Sequence, residues 1–444
     1  MAITETKTRY GQIHGVQKDG YTVFRGIPYA KPPVGEKRFC PPEEPECWEG
    51  VYEADHFGCV CPQTEHEPDS FYGKEFYLDP EFGMHQSEDC LYLNIWTPAN
   101  TADEKLPVAF WIHGGAFMHG FSHESEFDGA AYCERGVILV TINYRLGAFG
   151  FLAHPWLSEE SGVGRSGNYA ILDQIAALKW VKENIAAFGG DPENITVFGQ
   201  SAGCMSVQTL VSSPLTENWI SKAIFQSAGG YDTGLNRDMP LSEAETIGQE
   251  FVELSGAKSL EELRAIPAEQ IVELQEEFGR VNPSRMLSFV PNIDDYLLTC
   301  GYNEAVTEGK IKDIPYMLGS TADDIGVFPE MKEKGEHGGI YKGCINWSLA
   351  LEKLGRKPAY VYYFTRALLG DDAGAFHSSE LWYMFGTLGR SWRPKTEGDY
   401  ALSKEMMDDW TNFMKTGNPN AEGKDDWKPC TKEEPYVQVL DVRE

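Results

Sequence analysis

A serine stands between two glycines at residues 199–203 (Gly-Gln-Ser-Ala-Gly), directly after the apolar run 195–198. The spacing Gly-x-Ser-x-Gly is typical of a sharp turn from a strand into a helix, and it exposes the hydroxyl of Ser201 at the top of a sheet. A hydroxyl held there can attack a carbonyl carbon. Glycine is abundant, with 45 of 444 residues, so a tight structural turn is the alternative for this motif alone.

A nucleophilic serine needs a base to take its proton and an acid to orient that base. Where the serine occupies such a turn, the usual order along the chain is serine, then the acid, then histidine. Only His337 and His377 follow Ser201 far enough to leave room for the acid. His337 lies in a polar loop, whereas His377 follows a strand-like run and precedes an apolar segment. We therefore predict His377 as the base.

Two adjacent aspartates, Asp323 and Asp324, follow the strand-like run 316–318, where the acid should lie. Neighbouring residues at a strand end cannot both point at one imidazole ring. We predict Asp324 as the orienting acid and assign Asp323 to solvent or to a turn. Asp323 remains the alternative acid.

A third requirement is a set of donors for the negative charge that develops on the carbonyl oxygen during attack. Residues 111–117 contain His-Gly-Gly, follow the strand-like run 108–112 and match a known type of oxyanion turn. We predict the backbone N–H groups of Gly115 and Ala116 as two donors. Ala202, directly after the serine, supplies the third.

The elements that would position these residues alternate between strands and helices, which predicts an α/β protein with a largely parallel sheet. The clearest helical pattern covers 169–188, stops at two glycines and leads into the strand before Ser201. The predicted strands are 108–112, 137–142, 195–198, 223–225, 316–318 and 360–364.

The chain contains no linker, repeat or low-complexity tract, so residues 1–444 are predicted to form one domain. Between residues 240 and 290 the pattern changes to short amphipathic helices, with capping-box matches that begin at Ser242 and Ser259. We predict a helical insertion over the sheet. It either covers the ligand crevice or buttresses it.

Composition excludes several classes of protein. There are 38 basic and 68 acidic residues, a formal charge of −30, and 42% of the residues are hydrophobic. A field of this sign repels nucleic acid and anionic membranes, so a small-molecule substrate is the expected partner. No apolar run has the length of a membrane span. The N-terminal residues contain no apolar signal core, so we expect a cytoplasmic protein, with a secreted mature form as the alternative.

Together these segments resemble the type-B carboxylesterases, the cholinesterase-like and para-nitrobenzyl esterase-like family of α/β-hydrolases. The matching segments run from end to end of the chain: 24–30, 87–94, 111–117, 143–151, 199–203, 374–380 and 412–419. The resemblance implies an α/β-hydrolase fold and a serine carboxylic-ester hydrolase that needs no cofactor. It implies an acyl-enzyme mechanism on small neutral esters, with Ser201 as nucleophile, His377 as base and Asp324 as acid. A noncatalytic adhesion or scaffold protein of the same family is the alternative.

The resemblance extends to residues outside the reaction centre. Cys61 and Cys90 match the first disulfide pair of the family, although a reducing cytoplasm would leave both as thiols. Aromatic residues between these cysteines either line an entrance or pack as a surface loop. Two ion pairs of the family are expected to be structural: Arg38 with Glu88, and Arg145 with Asp173.

The chain departs from the family pattern in two places. The family usually has glutamate followed by glycine at the acid position, whereas this chain has Asp324 followed by Ile325. Aspartate is one methylene shorter, so the strand end must approach His377 more closely. The stretch between Asp324 and His377 is also short for the family, which predicts that part of the usual gorge wall is missing.

Overall fold

The computed structural model describes residues 2–443, which build a 12-stranded sheet. The strands are β1 (Glu5–Thr8), β2 (Gly11–Gln17), β3 (Thr22–Pro28), β4 (Val51–Ala54), β5 (Tyr92–Thr97), β6 (Leu106–Ile112), β7 (Ile138–Ile142), β8 (Gly190–Gln200), β9 (Lys222–Gln226), β10 (Tyr316–Thr321), β11 (Tyr360–Phe364) and β12 (Gln438–Leu440). Their order is β1-β2-β3-β5-β7-β6-β8-β9-β10-β11-β12, and β4 pairs with β2.

From β7 to β12 every neighbouring pair is parallel, whereas β1, β2, β3 and β5 pair antiparallel with their neighbours in that order. The predicted α/β architecture with a mostly parallel sheet is confirmed. All six predicted strands exist, with ends that differ by a few residues except at β11, where the bounds agree. The sequence did not predict β1 to β5 or β12. In β1, β2 and β4 the reason is that few side chains are buried, so these strands form no apolar run.

Helices pack on both faces of the sheet. They are α1 (Phe71–Phe76), α2 (Ala130–Cys133), α3 (Gly147–Phe151), α4 (Pro155–Glu160), α5 (Tyr169–Asn184), α6 (Ala202–Ser212), α7 (Leu241–Ser255), α8 (Leu260–Ala265), α9 (Ala268–Val281), α10 (Tyr302–Thr307), α11 (Pro329–Glu333), α12 (Gly339–Lys353), α13 (Leu381–Met384) and α14 (Glu397–Thr416). Short 3₁₀ turns cover Gly35–Lys37, Pro80–Phe82, Ile185–Phe188, Pro214–Thr216, Pro283–Arg285 and Leu388–Arg390. No helix within residues 2–443 has the length and apolar character that a membrane crossing requires.

The side chains of β6 show how the sheet separates two hydrophobic cores. Val108, Phe110 and Ile112 belong to one core, which also contains side chains of α5, α6 and α12. Ala109 and Trp111 belong to the other core, with side chains of α13 and α14. Successive residues of a strand point to opposite faces, so one strand contributes to both cores.

Residues 240–290 hold α7, α8 and α9. The cap predicted at Ser242 is wrong, because Pro240 begins the helix earlier: its carbonyl accepts the N–H groups of Glu243 and Ala244. At Ser259 half of the predicted capping box is present. Its hydroxyl accepts the N–H of Glu262 at 3.1 Å, but the Glu262 carboxylate accepts the N–H of Lys258 instead of that of Ser259. A cavity of about 890 Å³ lies between α8 and the segments 35–41 and 157–172, and its lining residues include none of the predicted site residues.

Both predicted ion pairs are present, and both predicted disulfide partners are buried thiols. The Arg145 guanidinium donates to the two carboxylate oxygens of Asp173 at 2.8 and 2.7 Å. Arg38 donates through Nε to Glu88 at 2.6 Å. The first pair joins the end of β7 to α5, and the second joins the segment after β3 to the segment before β5.

One carboxyl on α14 should make stability depend on pH. Burial, followed by the charges of Glu405 and Asp408, raises the pKa of Asp409 to about 8. An unfolded aspartate titrates near pH 4, at about its reference pKa. Between these values the unfolded state loses a proton that the folded state keeps, so this group makes folding less favourable as pH rises.

We therefore expect Asp409→Asn to raise the unfolding temperature at pH 8 more than at pH 5. Asp408→Asn is the matched control: although burial opposes it, hydrogen bonds from Lys404 and Arg135 lower the pKa of Asp408. The stability that Asp408 contributes is complete above the unfolded pKa near 4, so the same change there should destabilise by about the same amount at pH 5 and at pH 8. Thermal unfolding of both variants across this range checks the prediction, and parallel shifts in the two variants would contradict it.

Candidate active site

Ser201 occupies the junction between β8 and α6 with a φ of 56° and a ψ of −126°, a strained backbone for a residue with a side chain. Two glycines make the turn possible. A Cβ atom on Gly203 would lie 2.1 Å from the carbonyl oxygen of Ile112, and one on Gly199 would lie 2.6 Å from the carbonyl carbon of Gly203. The Ser201 N–H donates to the Gln226 carbonyl at 2.9 Å, which anchors the turn to the neighbouring strand.

His377 and Asp324 form a buried pair in which Nδ1 and Oδ1 are 2.6 Å apart. The two residues are 8% and 4% exposed. Backbone N–H groups fix the carboxylate from both sides: Ile325 donates to Oδ1 at 2.8 Å and Thr321 to Oδ2 at 3.0 Å. A neutral ring that donates through Nδ1 keeps its lone pair on Nε2, as a general base requires.

Asp323 has a different environment from its neighbour. Its Oδ2 atom accepts the N–H of Ala375 at 2.9 Å, and its own N–H donates to the Ala375 carbonyl at 2.9 Å. Asp323 and Phe376 also form an isolated parallel bridge. These bonds draw the end of β10 against the loop that precedes the histidine, which brings the short side chain of Asp324 within reach of the ring.

The Nε2 atom of His377 lies 3.1 Å from the side-chain amide nitrogen of Gln200. With the ring proton on Nδ1, the amide donates and Nε2 accepts. No hydrogen bond joins the Ser201 hydroxyl to His377 within residues 2–443, so the amide occupies the lone pair that the serine would use. Catalytic hydrogen bonds are often long or misaligned in a protein without substrate. Nothing in the sequence singles out Gln200 beyond its place next to Ser201.

The predicted oxyanion turn packs directly against Ser201. A Cβ atom on Gly114 would lie 3.1 Å from the Cβ of Ser201. Gly115 and Ala116 have φ values of 99° and 56°. Across the part of the chain that the structure describes, the N–H groups of Gly115, Ala116 and Ala202 donate no hydrogen bond. These three donors are therefore free to bind an oxygen atom of a ligand.

The other candidate base lies elsewhere. The ring of His337 stacks on Tyr341 with 3.9 Å between centroids, and it meets Tyr363 edge-on at 5.2 Å. Among the described residues, no hydrogen bond connects it with Ser201 or with either aspartate.

Glu380 follows the histidine by three residues and is fully buried. Burial, followed by the charge of Asp324, raises the pKa of Glu380 to about 7. One carboxyl oxygen is 3.4 Å from the Gln226 amide nitrogen, and the other has no partner within residues 2–443. The sequence did not identify this residue, although it closes the matching segment 374–380.

A segment that precedes and includes α1 contacts both parts of the site. The rings of Phe71 and Phe376 meet edge-on at 4.9 Å, and the rings of His66 and His119 are also 4.9 Å apart. Phe376 directly precedes the candidate base, and the His119 N–H donates to the carbonyl of Gly115. We call residues 66–77 the α1 wall.

Gln200→Glu should change the pH dependence of hydrolysis. A carboxylate at this position favours the protonated imidazole and offers no N–H to a neutral one. Activity that needs the neutral ring should therefore begin at a pH higher by about one unit. Initial rates between pH 5 and pH 9 check the shift of the acidic limb of kcat/KM. Gln200→Ala removes the contact without adding charge and should leave the limb in place, so equal shifts in both variants would contradict the prediction.

Comparisons with known proteins identify the family of this chain. The chain matches the Carboxylesterase family at residues 3–343 and 341–443. It is 34% identical to the para-nitrobenzyl esterase of Bacillus subtilis (strain 168), over 98% of this chain and 94% of that protein. It is 33% identical to the fumonisin B1 esterase of Sphingopyxis macrogoltabida, over 95% of this chain and 83% of that protein.

Solved structures give the same result. The structure of a PNB esterase superposes with a TM-score of 0.86 at 31% identity, and the match covers 99% of this chain and 96% of that one. The α/β-hydrolase fold expected from the resemblance is confirmed. The chain belongs to the carboxylesterase family and is an enzyme that hydrolyses carboxylic esters.

Proposed function

We propose that this carboxylesterase is a serine hydrolase that forms an acyl-enzyme with small neutral esters. Ser201 is the nucleophile, His377 the base and Asp324 the acid that orients it. The observation that carries the proposal is the buried 2.6 Å hydrogen bond between His377 and Asp324. The other ring nitrogen of His377 contacts Gln200, which directly precedes Ser201.

In the first half of the reaction, the Ser201 oxygen attacks the ester carbonyl carbon while its proton passes to Nε2 of His377. The Gln200 amide must first leave Nε2. The negative charge on the former carbonyl oxygen is stabilised by the N–H groups of Gly115, Ala116 and Ala202. The protonated ring then gives its proton to the leaving alkoxy oxygen, the carbon–oxygen bond breaks, and the alcohol departs.

In the second half, water attacks the acyl-enzyme and His377 takes a proton from it. The same three N–H groups bind the oxyanion again. Collapse of the tetrahedral intermediate breaks the bond to the Ser201 oxygen, which recovers its proton from the ring. The products are a carboxylic acid, an alcohol and the free enzyme, and no cofactor takes part.

The negative net charge of the protein favours neutral substrates over anionic ones. A formal charge of −30 disfavours the approach of anions and leaves neutral esters unaffected. The relatives named above include a para-nitrobenzyl esterase, so para-nitrobenzyl acetate is a suitable first test substrate beside p-nitrophenyl acetate.

A fluorophosphonate probe tests the nucleophile directly. The Ser201 oxygen should attack phosphorus and displace fluoride, which leaves a stable covalent adduct. We expect the purified, folded protein to lose esterase activity as the label attaches, and mass spectrometry to find the label on the peptide that contains Ser201. A label on another residue, or activity that persists without labelling, would overturn the proposal.

A further inference from the structure

We propose that Glu75, Arg393 and Asp371 hold the α1 wall against the loop that carries His377, and that they thereby determine which esters the site accepts. We call these three residues the α1 clamp. The inference rests on the proposed function, because it gives the wall a role at the same reaction centre. It makes Glu75 and Arg393 positioning residues that act on substrate selection through the wall.

The clamp is built around one buried carboxylate. The Glu75 side chain is 1% exposed and accepts three hydrogen bonds, from Trp382 Nε1 at 2.9 Å, Trp392 Nε1 at 3.0 Å and Arg393 Nε at 2.7 Å. An ionised carboxylate persists in an apolar interior only when such donors satisfy it. Glu75 lies on α1, whereas its donors all follow His377 in the chain. The carboxylate therefore joins α1 to the segment that follows the candidate base.

Arg393 extends the connection to the segment before the base. Its two terminal nitrogens donate to Asp371 at 2.6 and 3.0 Å, and its guanidinium carbon lies 5.0 Å from the ring centroid of Phe376. The plane of a guanidinium group pairs well with a carboxylate fork and with an aromatic face. One buried side chain thus contacts α1 through Glu75 and the histidine loop through Asp371 and Phe376.

The wall that the clamp holds spans the site. At one end Phe71 packs on Phe376, directly before the base, and at the other His66 packs on His119 beside the oxyanion turn. Between them Tyr72 is half-buried: burial, then the charges of Asp324 and Glu380, raise the pKa of Tyr72 to about 12. An acyl or alcohol group that extends from the reacting carbon along this wall must fit the position of α1.

The hydrogen bonds that place the base do not pass through the clamp. Asp324 holds the ring, and Asp323 holds the backbone of Ala375 just before it. Among residues 2–443, the side chains of Glu75 and Arg393 hydrogen-bond to no residue of the sheet. Loosening the clamp should therefore move α1 while His377 and Asp324 stay paired. A change in substrate selection can then be measured separately from a change in the rate of the chemical step.

Glu75→Gln tests the clamp with little change in shape. The variant keeps one oxygen as acceptor but removes the charge that pairs with Arg393. We expect the ratio of kcat/KM for p-nitrophenyl benzoate to that for p-nitrophenyl acetate to change by about tenfold, mainly through KM for the benzoate. The value of kcat for the acetate should stay within about threefold. Asp371→Asn, at the partly exposed end of the clamp, should change the ratio in the same direction if Glu75→Gln does not fold.

Glu88→Gln is the matched control, because it makes the same change in another largely buried pair, in which the side chains of Arg38 and Glu88 are 7% and 13% exposed. It should lower stability and leave the ester ratio unchanged. An unchanged ester ratio in Glu75→Gln and Asp371→Asn would overturn the proposal. An equal change of the ratio in Glu88→Gln would do the same, as would a loss of kcat in the clamp variants that is equal for every ester. Fluorophosphonate labelling separates this proposal from the proposed function. If the wild-type enzyme is labelled at Ser201 but the ester ratio is unchanged in both variants, only the role of the α1 clamp is contradicted.

Discussion

Replacing Ser201 with alanine is expected to lower kcat for ester hydrolysis by about 10⁵-fold or more, because the acyl group has no oxygen to which it can bind. Residual turnover should come only from binding and from the oxyanion donors. The unfolding temperature should stay nearly unchanged, since alanine keeps the Cβ atom and the backbone already carries a positive φ at this position. Initial rates with p-nitrophenyl acetate and a thermal melt of the same preparation measure both quantities.

Ser212→Ala is the control for this change. Ser212 is the last residue of α6, the helix that begins directly after Ser201, and its buried hydroxyl has no hydrogen-bond partner within residues 2–443. The control should keep the rate of the unchanged enzyme and fluorophosphonate labelling at Ser201. Retained turnover in purified Ser201→Ala would mean that residues 199–203 form only a structural turn and that another group attacks the ester.

Local chemistry explains why the sequence identified so much of the candidate site. A turn this sharp tolerates only small residues at positions 199 and 203, where a Cβ atom would collide with backbone. The oxyanion turn is likewise restricted by its left-handed backbone at Gly115 and Ala116. Such constraints act on neighbouring residues and therefore appear as short motifs.

Contacts between distant segments could not be predicted in this way. The amide of Gln200 meets His377 across 177 positions, and Glu75 meets Arg393 across 318 positions. Neither pair leaves a local pattern, because the residue types alone do not say which carboxylate or amide a ring or guanidinium will meet. The N-terminal strands were missed for a related reason: β1, β2 and β4 are recognisable mainly through their pairing partners.

The choice between Asp323 and Asp324 shows where sequence reasoning ends. Both residues follow the same strand, and either carboxylate has the right chemistry for the acid. The structure separates them by their partners: Asp324 contacts the imidazole, and Asp323 binds the backbone of Ala375. The difference arises from the bridge between Asp323 and Phe376, which depends on how two loops meet.

This difference predicts unequal effects for the same substitution at neighbouring positions. Asp324→Asn should lower kcat by about 10⁴-fold, because the neutral amide no longer stabilises the charged imidazole. The amide also fits poorly between its partners. Either orientation turns its NH₂ group toward an N–H donor, that of Thr321 on one side or those of Ile325 and His377 on the other.

Asp323→Asn should lower kcat by less than about tenfold, because the asparagine oxygen can still accept the N–H of Ala375 and only a partly exposed ion pair with Lys332 is lost. Rates at saturating p-nitrophenyl acetate compare the two variants, and the rate of fluorophosphonate labelling gives a second measure that depends on the activation of Ser201 but not on deacylation. Asp323→Asn could instead prove the more damaging change by both measures. The acid that acts during turnover would then not be Asp324, which contacts the imidazole in the absence of substrate. In that case the loop before His377 must rearrange when substrate binds.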